Sequence, residues 1–341
     1  MEYIRLGNSG LNVSKVCLGT MNMGSKEWKP WIYNEEESEP IVRHAIESGI
    51  NFIDLADFYS SGVNEEVVCN IVNRMGVRDE IVLCTKVGYP IGKGQNNGGH
   101  SRVHIMDAVH GSLKRMNTDH IDLYMLHYYD TNTPVEETMS TMNELVKSGK
   151  VRYLACSTMY SWQFAKILHV CDKNGWEKPI NMQLQYSAAY REEEREMIPL
   201  CRDENIAVSV FSPLARGLLT CDVDSVRNTT DFFTHEMFSD EVSLEIAKSV
   251  LRVAKHRDVS PAQIAQAYVL QNSNINVMLA GADSAEQLNT AIKALEMEPF
   301  SEDEIYELER NYTPRDHIND YNADCRIPRD RRSAKAPFTQ E

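Results

Sequence analysis

The feature that constrains this chain most is a regular alternation of short apolar runs with segments of helical periodicity. Each apolar run has the composition of a β-strand and is followed by a segment whose apolar residues recur every three or four positions. The strand-like runs are residues 16–19, 51–54, 81–86, 121–127, 151–156, 180–184, 206–211 and 277–280. Eight strand–helix units are the count of a closed (β/α)8 barrel and not of a doubly wound sheet.

Glycines and prolines mark where the intervening helices should stop and start. Gly49, Gly149 and Gly175 stand at expected ends, and Pro134 and Pro261 at expected beginnings. The expected helices are residues 36–48, 65–75, 102–116, 134–148, 161–174, 192–205, 243–254, 260–270 and 285–295. The glutamate-rich run 192–196 is predicted to be the solvated start of one of them.

The two ends of the chain differ from this pattern. Residues 3–13, with a turn signal at Asn8-Ser9-Gly10, are typical of a β-hairpin that precedes the barrel. The Arg-rich segment from Asn311 onward lacks periodicity. We therefore predict one domain, an α/β (β/α)8 TIM barrel with an N-terminal hairpin at residues 1–310, and a partly flexible C-terminal tail at 311–341.

Three loops exceed what a minimal barrel needs, and all three follow strands, on the face where barrel enzymes work. They are residues 20–34, 88–101 and 212–240. The Gly-rich stretch 91–99 lacks the GxxxxGK[ST] order of a phosphate-binding loop, which favours a flexible lid.

Composition narrows the class of partner. The 341 residues, 42% of them apolar, can bury one large core or two modest ones, and the formal net charge of −15 disfavours nucleic acid and anionic membranes. No membrane-span run or signal peptide is recognisable, which predicts a cytoplasmic protein. Eight scattered cysteines without a CxxC pair favour reduced, buried thiols over disulfides or a zinc site.

Four ionisable residues lie at or just after the ends of consecutive predicted strands: Asp54 and Tyr59, then Lys86, then His127. Singly, each has an ordinary structural explanation, such as a helix cap, a solvated lysine or a core histidine. Because adjacent strand ends of a barrel converge, the four together indicate one site. A phenol with a pKa of roughly 10 needs a nearby cation to serve as an acid near neutral pH.

At these residues the sequence resembles the aldo-keto reductase superfamily. The resemblance runs from the hairpin to about residue 310. It is carried by DLADFY, TKVG, DLYMLH, ACSTMYSWQFAK, YREEEREMIPLC and FSPLARGLLT. Within the superfamily, the NTPVEET and YREEEREMIPLC stretches are most similar to bacterial NADP-dependent members associated with sugar-phosphate and aryl-ketone reduction.

The resemblance implies an NAD(P)H-dependent oxidoreductase that reduces an aldehyde, ketone or sugar carbonyl to an alcohol without a metal. Tyr59 would be the general acid, and Lys86, paired with Asp54, would stabilise the phenolate. His127 would orient the substrate oxygen. NADPH is the expected cofactor, and NADH remains an alternative.

The cofactor residues follow from the same resemblance. Near the nicotinamide, Thr158 stands where the family commonly has Asn, which would alter the grip on the carboxamide. Near the adenosine, Asp283 would repel a 2′-phosphate, and none of the family's usual cations is present around it. The expected cofactor-binding residues are Ser157, Thr158, Gln183, Phe211, Ser212, Leu214, Arg216, Gly217, Gly281, Asp283, Ser284 and Gln287.

Substrate contacts are expected from the loops. Trp28 and Trp31 could form a wall over the mouth, although either could instead pack its own loop down. Tyr128 stands where close relatives often carry Arg, which favours a neutral aldehyde, ketone or sugar over an anionic substrate.

Two other classes of function remain at this stage. One is a cofactor-binding, redox-sensing regulatory subunit of the same fold; tight cofactor binding without turnover would distinguish it. The other is a metal-dependent barrel enzyme, which is disfavoured because Ser157, Gln183 and Phe211 occupy strand ends where metal ligands would be needed. The expected partner is a small carbonyl or sugar substrate, with no nucleic acid and no membrane. The sequence leaves a homo-oligomer open.

Overall fold

A computed structural model describes residues 1–220 and 237–315 of the chain. Its centre is a closed barrel of eight parallel strands in chain order, in which the last strand pairs with the first through Met278 and Val16. This confirms the predicted (β/α)8 fold. The barrel strands are β3 (Val16–Gly19), β4 (Phe52–Asp54), β5 (Val82–Val87), β6 (Ile121–Leu126), β7 (Val151–Ser157), β8 (Pro179–Gln185), β9 (Ala207–Phe211) and β10 (Val277–Gly281).

The predicted N-terminal hairpin is present as β1 (Tyr3–Arg5) and β2 (Asn12–Ser14), paired antiparallel. Its turn lies against the amino ends of β8 and β9. A Cβ on Gly7, whose φ is +58°, would lie 2.3 Å from the carbonyl oxygen of Ile180, so only glycine permits this approach. Leu6 and Val13 are fully buried in the same apolar cluster as the inward residues of the barrel. The hairpin therefore closes the floor of the barrel.

Helices surround the barrel and pack on the outward faces of the strands. Most agree with the sequence prediction to within a few residues, which is the usual scatter at helix ends. They are α1 (Glu35–Glu47), α2 (Val63–Met75), α3 (Arg102–Met116), α4 (Val135–Lys147), α5 (Ser161–Asn174), α6 (Met197–Asp203), α7 (Glu241–Arg257), α8 (Pro261–Leu270), α9 (Ala285–Ala294) and α10 (Glu302–Glu309). The helix α10 was not predicted.

The prediction of a solvated helix start at residues 192–196 is wrong. Residues Glu192–Glu194 form a short 3-10 turn, and Glu192 is only 5% exposed. Its carboxylate accepts hydrogen bonds from the Tyr312 hydroxyl at 2.6 Å and the Arg315 backbone N–H at 2.8 Å. Residues 311–315 are thereby bound to the loop that follows β8, and the rest of the predicted tail, 316–341, lies outside the described residues.

Most of the cysteines and of the long loops noted in the sequence lie within the described residues. The six cysteines within residues 1–220 and 237–315 are buried and free, whereas Cys221 and Cys325 lie outside the described ranges. The loop 212–240 is described up to Thr220 and again from Met237. Within residues 1–220 and 237–315, no helix combines the length and apolarity needed to span a membrane.

Candidate active site

Asp54, Lys86 and Tyr59 form a connected group at the carboxyl ends of β4 and β5. The Lys86 ammonium, fully buried, donates hydrogen bonds to Asp54 Oδ2 at 2.6 Å and to the Leu55 carbonyl at 2.8 Å. Its Nζ lies 3.3 Å from the Tyr59 hydroxyl and 4.9 Å from the centre of the Tyr59 ring. The ammonium therefore bridges a buried carboxylate and a phenol.

The protonation of this group follows from burial and charge. Burial raises the pKa of Tyr59, and the Lys86 ammonium opposes that rise without cancelling it, so the phenol carries its proton at neutral pH. For Lys86, burial alone would lower the pKa, but Asp54 and Tyr59 hold it above its ordinary value. A charged lysine next to a protonated phenol is the arrangement that a general acid requires.

His127 follows β6 and stands edge-on to the Tyr59 ring, with 5.9 Å between the ring centres. Burial, and then the charge of Lys86, lower the pKa of His127 well below its ordinary value, so the imidazole is neutral. Its Nδ1 is buried without a hydrogen-bond partner in the described part of the chain. A neutral imidazole beside a phenol can donate a hydrogen bond to a substrate oxygen without competing for the acidic proton.

Tyr128 does not lie where a substrate contact was expected. It is 3% exposed, and its hydroxyl donates to the Gly88 carbonyl at 3.0 Å. Its ring packs between Tyr89 and His100, with both centres 4.9 Å away. The Tyr128 side chain is therefore buried against the loop that follows β5. Tyr128 supports Tyr89, whose ring centre is 4.8 Å from that of His127.

The backbone after Tyr59 is unusual. Ser60, Ser61 and Gly62 all have positive φ, at 50°, 54° and 97°. A Cβ on Gly62 would lie 2.8 Å from Arg115 Cδ, and the Arg115 guanidinium is itself held by the buried carboxylate of Glu65 through an Nε to Oε2 distance of 2.6 Å. A strained turn fixed by a long-range ion pair thus presents the phenol, and strain of this kind concentrates at functional sites.

The residues expected near a nicotinamide line the ends of β7, β8 and β9. The hydroxyls of Ser157 and Thr158 lie 2.9 Å apart, and Thr158 has a φ of 45°. Phe211 ends β9 half-buried, at the edge of the inner apolar cluster. Gln183 Nε2 donates to Asp54 Oδ1 at 2.8 Å. This link from β8 to β4 ties the Asp54–Lys86 pair to the opposite wall of the barrel, and the sequence did not predict it.

The expected pyrophosphate loop follows β9 directly. Ser212, Arg216 and Gly217 have φ values of 56°, 57° and 106°, and Leu214 and Arg216 are half-buried. Residues Ala215–Thr220 form a 3-10 segment. Successive backbone N–H groups in mixed right- and left-handed conformations can form anion-binding concavities, and this loop contains such a mixture.

The expected adenosine residues lie at the amino end of α9. Gly281 ends β10, Ser284 caps α9 by accepting from the Gln287 N–H at 3.2 Å, and Gln287 Oε1 accepts from the Asp283 N–H at 2.9 Å. The carboxylate of Asp283 accepts from Asn22 Nδ2 at 3.0 Å. Asn22 was not singled out in the sequence, and it holds a negative charge in place at this end of the site.

Aromatic rings surround the mouth. Trp28 lies edge-on to Phe58 with 5.7 Å between ring centres, and its ring centre is 6.3 Å from that of Tyr59. Phe58 also contacts Tyr89 at 4.9 Å. Trp31 lies farther along the same loop, and Lys29 Nζ is 5.8 Å and 5.9 Å from the two tryptophan rings. Phe58 and Tyr89 were missed, although each adjoins a predicted catalytic motif.

Possible metal ligands were also sought around the Asp54, Lys86 and Tyr59 side chains. Across residues 1–220 and 237–315, no cluster of three or more His, Cys, Asp or Glu side chains is arranged to hold a metal ion. The cation between the Asp54 carboxylate and the Tyr59 hydroxyl is the Lys86 ammonium.

Known proteins resemble this chain in sequence along most of its length. The Aldo/keto reductase family profile matches residues 15–312. A protein of Schizosaccharomyces pombe named as an aryl-alcohol dehydrogenase is 38% identical over 340 residues, covering 92% of this chain and 96% of the relative. The versiconal hemiacetal acetate reductase of Aspergillus parasiticus is 36% identical over 342 residues, covering 92% and 98%.

A third relative, from Saccharomyces cerevisiae and also named as an aryl-alcohol dehydrogenase, is 33% identical over 338 residues, covering 92% of this chain and 98% of its own. These relatives are fungal, so the predicted likeness to bacterial members is not supported. The profile match and the near-complete coverage of these relatives agree with the barrel. The chain therefore belongs to the aldo/keto reductase family of oxidoreductases.

Proposed function

We propose that the protein is an NAD(P)H-dependent reductase of small aromatic aldehydes or ketones, with Tyr59 as the general acid. The observation that carries this proposal is the Lys86 ammonium, which lies 2.6 Å from Asp54 Oδ2 and 3.3 Å from the Tyr59 hydroxyl. A buried cation next to a protonated phenol supports proton transfer to an oxygen that gains negative charge.

Each of the four residues has a separate part in the reaction. A reduced nicotinamide, when bound, supplies the hydride to the carbonyl carbon. Tyr59 gives its proton to the carbonyl oxygen, and the Lys86 ammonium stabilises the phenolate that remains. Asp54 keeps Lys86 charged and in place, and neutral His127 donates a hydrogen bond that orients the oxygen. In the oxidative direction the phenolate takes the proton back.

The residues around the mouth fit a nicotinamide cofactor. Gln183 uses its Nε2 on Asp54, which leaves its amide oxygen to accept from a carboxamide N–H. Ser157 adds a hydroxyl, and Phe211 offers a half-buried ring for stacking. Arg216, in the middle of three consecutive residues with positive φ, supplies the positive charge that a pyrophosphate needs. This donor set matches the amide, ring and phosphate parts of the cofactor.

Two observations favour an aromatic substrate over a sugar. The acid and the imidazole are walled by the rings of Trp28, Phe58 and Tyr89, which offer apolar faces and few hydrogen-bonding groups. Two of the fungal relatives are named for aryl-alcohol dehydrogenase activity. A planar ring would bury its faces against these walls, whereas a sugar would leave hydroxyls without partners.

The test is cofactor oxidation against a panel of aromatic aldehydes, aliphatic aldehydes and aldoses of similar size. We expect kcat/KM to be highest for the aromatic aldehydes, and Trp28→Ala to reduce that advantage by about tenfold, the loss of one aromatic contact of about 1.4 kcal/mol. Turnover of aldoses in preference to benzaldehydes would contradict the aromatic assignment. Tight cofactor binding without turnover of any carbonyl would instead favour a redox-sensing subunit.

Asp283 is expected to weaken NADPH binding. Its carboxylate is held by Asn22 at the amino end of α9, where a 2′-phosphate would lie, and two negative charges 4 Å apart in water repel by about 1 kcal/mol. Asp283→Asn should therefore tighten NADPH binding about fivefold and leave NADH binding unchanged. The measurement is Kd for both cofactors by fluorescence titration. Asp303→Asn, an exposed aspartate in α10, is the matched control, and an equal change for both cofactors would contradict the placement.

A further inference from the structure

A closed group of polar side chains lies behind Tyr59, between the barrel wall and the helices α2 and α3. Asp57, two residues before Tyr59, is 0% exposed, and so are Glu65 of α2 and Tyr124 of β6. None of these three residues belongs to the group that contains Lys86 and His127. Two buried carboxyl groups and a phenol in one place need hydrogen-bond partners or protons to be stable.

The carboxyl groups of Glu65 and Asp57 differ in their hydrogen-bond and ion-pair partners. Glu65 accepts from Thr85 Oγ1 at 2.5 Å and from Arg115 Nε at 2.6 Å, so its charge is matched by a cation and a hydroxyl. Neither carboxyl oxygen of Asp57 has a side-chain hydrogen-bond partner in the described part of the chain, and the backbone N–H of Phe58 is the polar group of the main chain that acts on it. The hydroxyl of Tyr124 is also buried in that part of the chain without a hydrogen-bond partner.

The cations near Asp57 are committed to other groups. Arg115 binds Glu65, and Lys86 binds Asp54 and Tyr59. Burial first, and then the charge of Glu65, raise the pKa of Asp57 well above its ordinary value. Arg115, the backbone N–H of Phe58 and Lys86 offset this rise only in part. Tyr124, whose pKa is raised first by burial and also by the charge of Glu65, completes the groups around Asp57.

We propose that Asp57 keeps its carboxyl proton in the folded protein and acts as a positioning residue for Tyr59. A neutral carboxyl can donate and accept at once, which suits a buried water that bridges it to the hydroxyl of Tyr124. The turn links this group to the site: the Asp57 N–H donates to the Lys86 carbonyl at 3.3 Å, and the Tyr59 N–H to the Ala56 carbonyl at 3.2 Å.

The first test measures stability alone and does not depend on the proposed reductase activity. An unfolded aspartate loses its proton near pH 4, whereas folded Asp57 retains it, so the folding equilibrium of the wild type should weaken as pH rises through this range. Asp57→Asn, which imitates the neutral carboxyl, should lack this loss. The ratio of its folding constant to that of the wild type should rise by about tenfold per pH unit from about pH 5 until Asp57 ionises in the folded state.

Denaturant unfolding at several pH values gives this ratio, with Asp79→Asn as the control because Asp79 is exposed. The infrared difference spectrum between wild type and Asp57→Asn at neutral pH should also contain the carbonyl band of a protonated carboxylic acid. A ratio that stays constant with pH, or an Asn variant that is less stable than wild type throughout with no acid band, would show that Asp57 is ionised and would overturn the proposal.

The second test addresses positioning and rests on the proposed function of Tyr59. Asp57→Ala should lower kcat at least tenfold with little change in the KM for cofactor, and Asp57→Asn should restore kcat. If Asp57→Ala does not fold, the comparison is made between Asp57→Asn and Tyr124→Phe, which removes the partner hydroxyl and should lower kcat. An Asn variant with full stability and no activity would overturn the positioning role, whereas inactivity of the wild type on every carbonyl would refute the proposed function and leave the stability test intact.

Discussion

Replacing Tyr59 with Phe should lower kcat by about 10²–10⁴-fold, the usual contribution of a positioned general acid. The change removes only the hydroxyl that lies 3.3 Å from Lys86 Nζ. The ring and its contacts with Trp28, His127 and the Lys86 ammonium are retained. Cofactor affinity should therefore stay within about twofold, because none of the residues proposed to bind cofactor changes.

The measurements are steady-state kcat with an aromatic aldehyde and cofactor Kd by fluorescence titration. Tyr306→Phe, the same substitution at a side chain that is 68% exposed on α10, is the matched control. Since burial raises the pKa of Tyr59, the loss should be the same across neutral pH, where the phenol is protonated throughout. A Phe variant that turns over at the wild-type rate would remove Tyr59 from the chemistry.

Lys86→Met should cost both activity and stability. The substitution leaves the Asp54 carboxylate buried, with Gln183 Nε2 as its remaining side-chain donor. Breaking one half of a buried ion pair typically costs 3–5 kcal/mol, and we expect a loss of about that size in the free energy of unfolding at neutral pH. We expect kcat to fall at least as far as in the Tyr59 variant, because the phenolate loses its cation.

A double variant separates the two effects. Lys86→Met combined with Asp54→Asn leaves no buried charge, so it should recover most of the stability and none of the activity. The pKa of Lys86 is raised in the folded protein, so the extra stability of the wild type over Lys86→Met is fully present below the unfolded pKa of about 10.4. This extra stability is lost as pH rises through the higher folded pKa. A single Met variant as stable as wild type would mean that the pair contributes little.

The barrel and the reacting groups were predictable because they depend on local patterns. Apolar runs alternating with helical periodicity specify the strand order, and residues at strand ends converge whatever their distant partners are. The missed helix α10 carries a capping box between Ser301 and Glu304, a signal that the sequence does contain.

What could not be predicted are contacts between residues far apart in the chain. The bond from Gln183 to Asp54 joins residues 129 positions apart, and the burial of Glu192 depends on Tyr312 and Arg315, more than a hundred positions away. A run of glutamates is normally solvated, and only the docking of residues 311–315 changes that. Likewise nothing local indicates that Asp57 lacks a cation, because Arg115 is taken by Glu65.

The hairpin that closes the floor of the barrel determines how reactants travel. Leu6 and Gly7 fill the space at the amino ends of the strands, whereas Tyr59, Lys86 and His127 lie at or after the carboxyl ends, so we expect reactants to enter and leave at the carboxyl face. Larger side chains introduced around that face would slow association and dissociation by the same factor. They would therefore change the exchange rates and leave the equilibrium affinity almost unchanged.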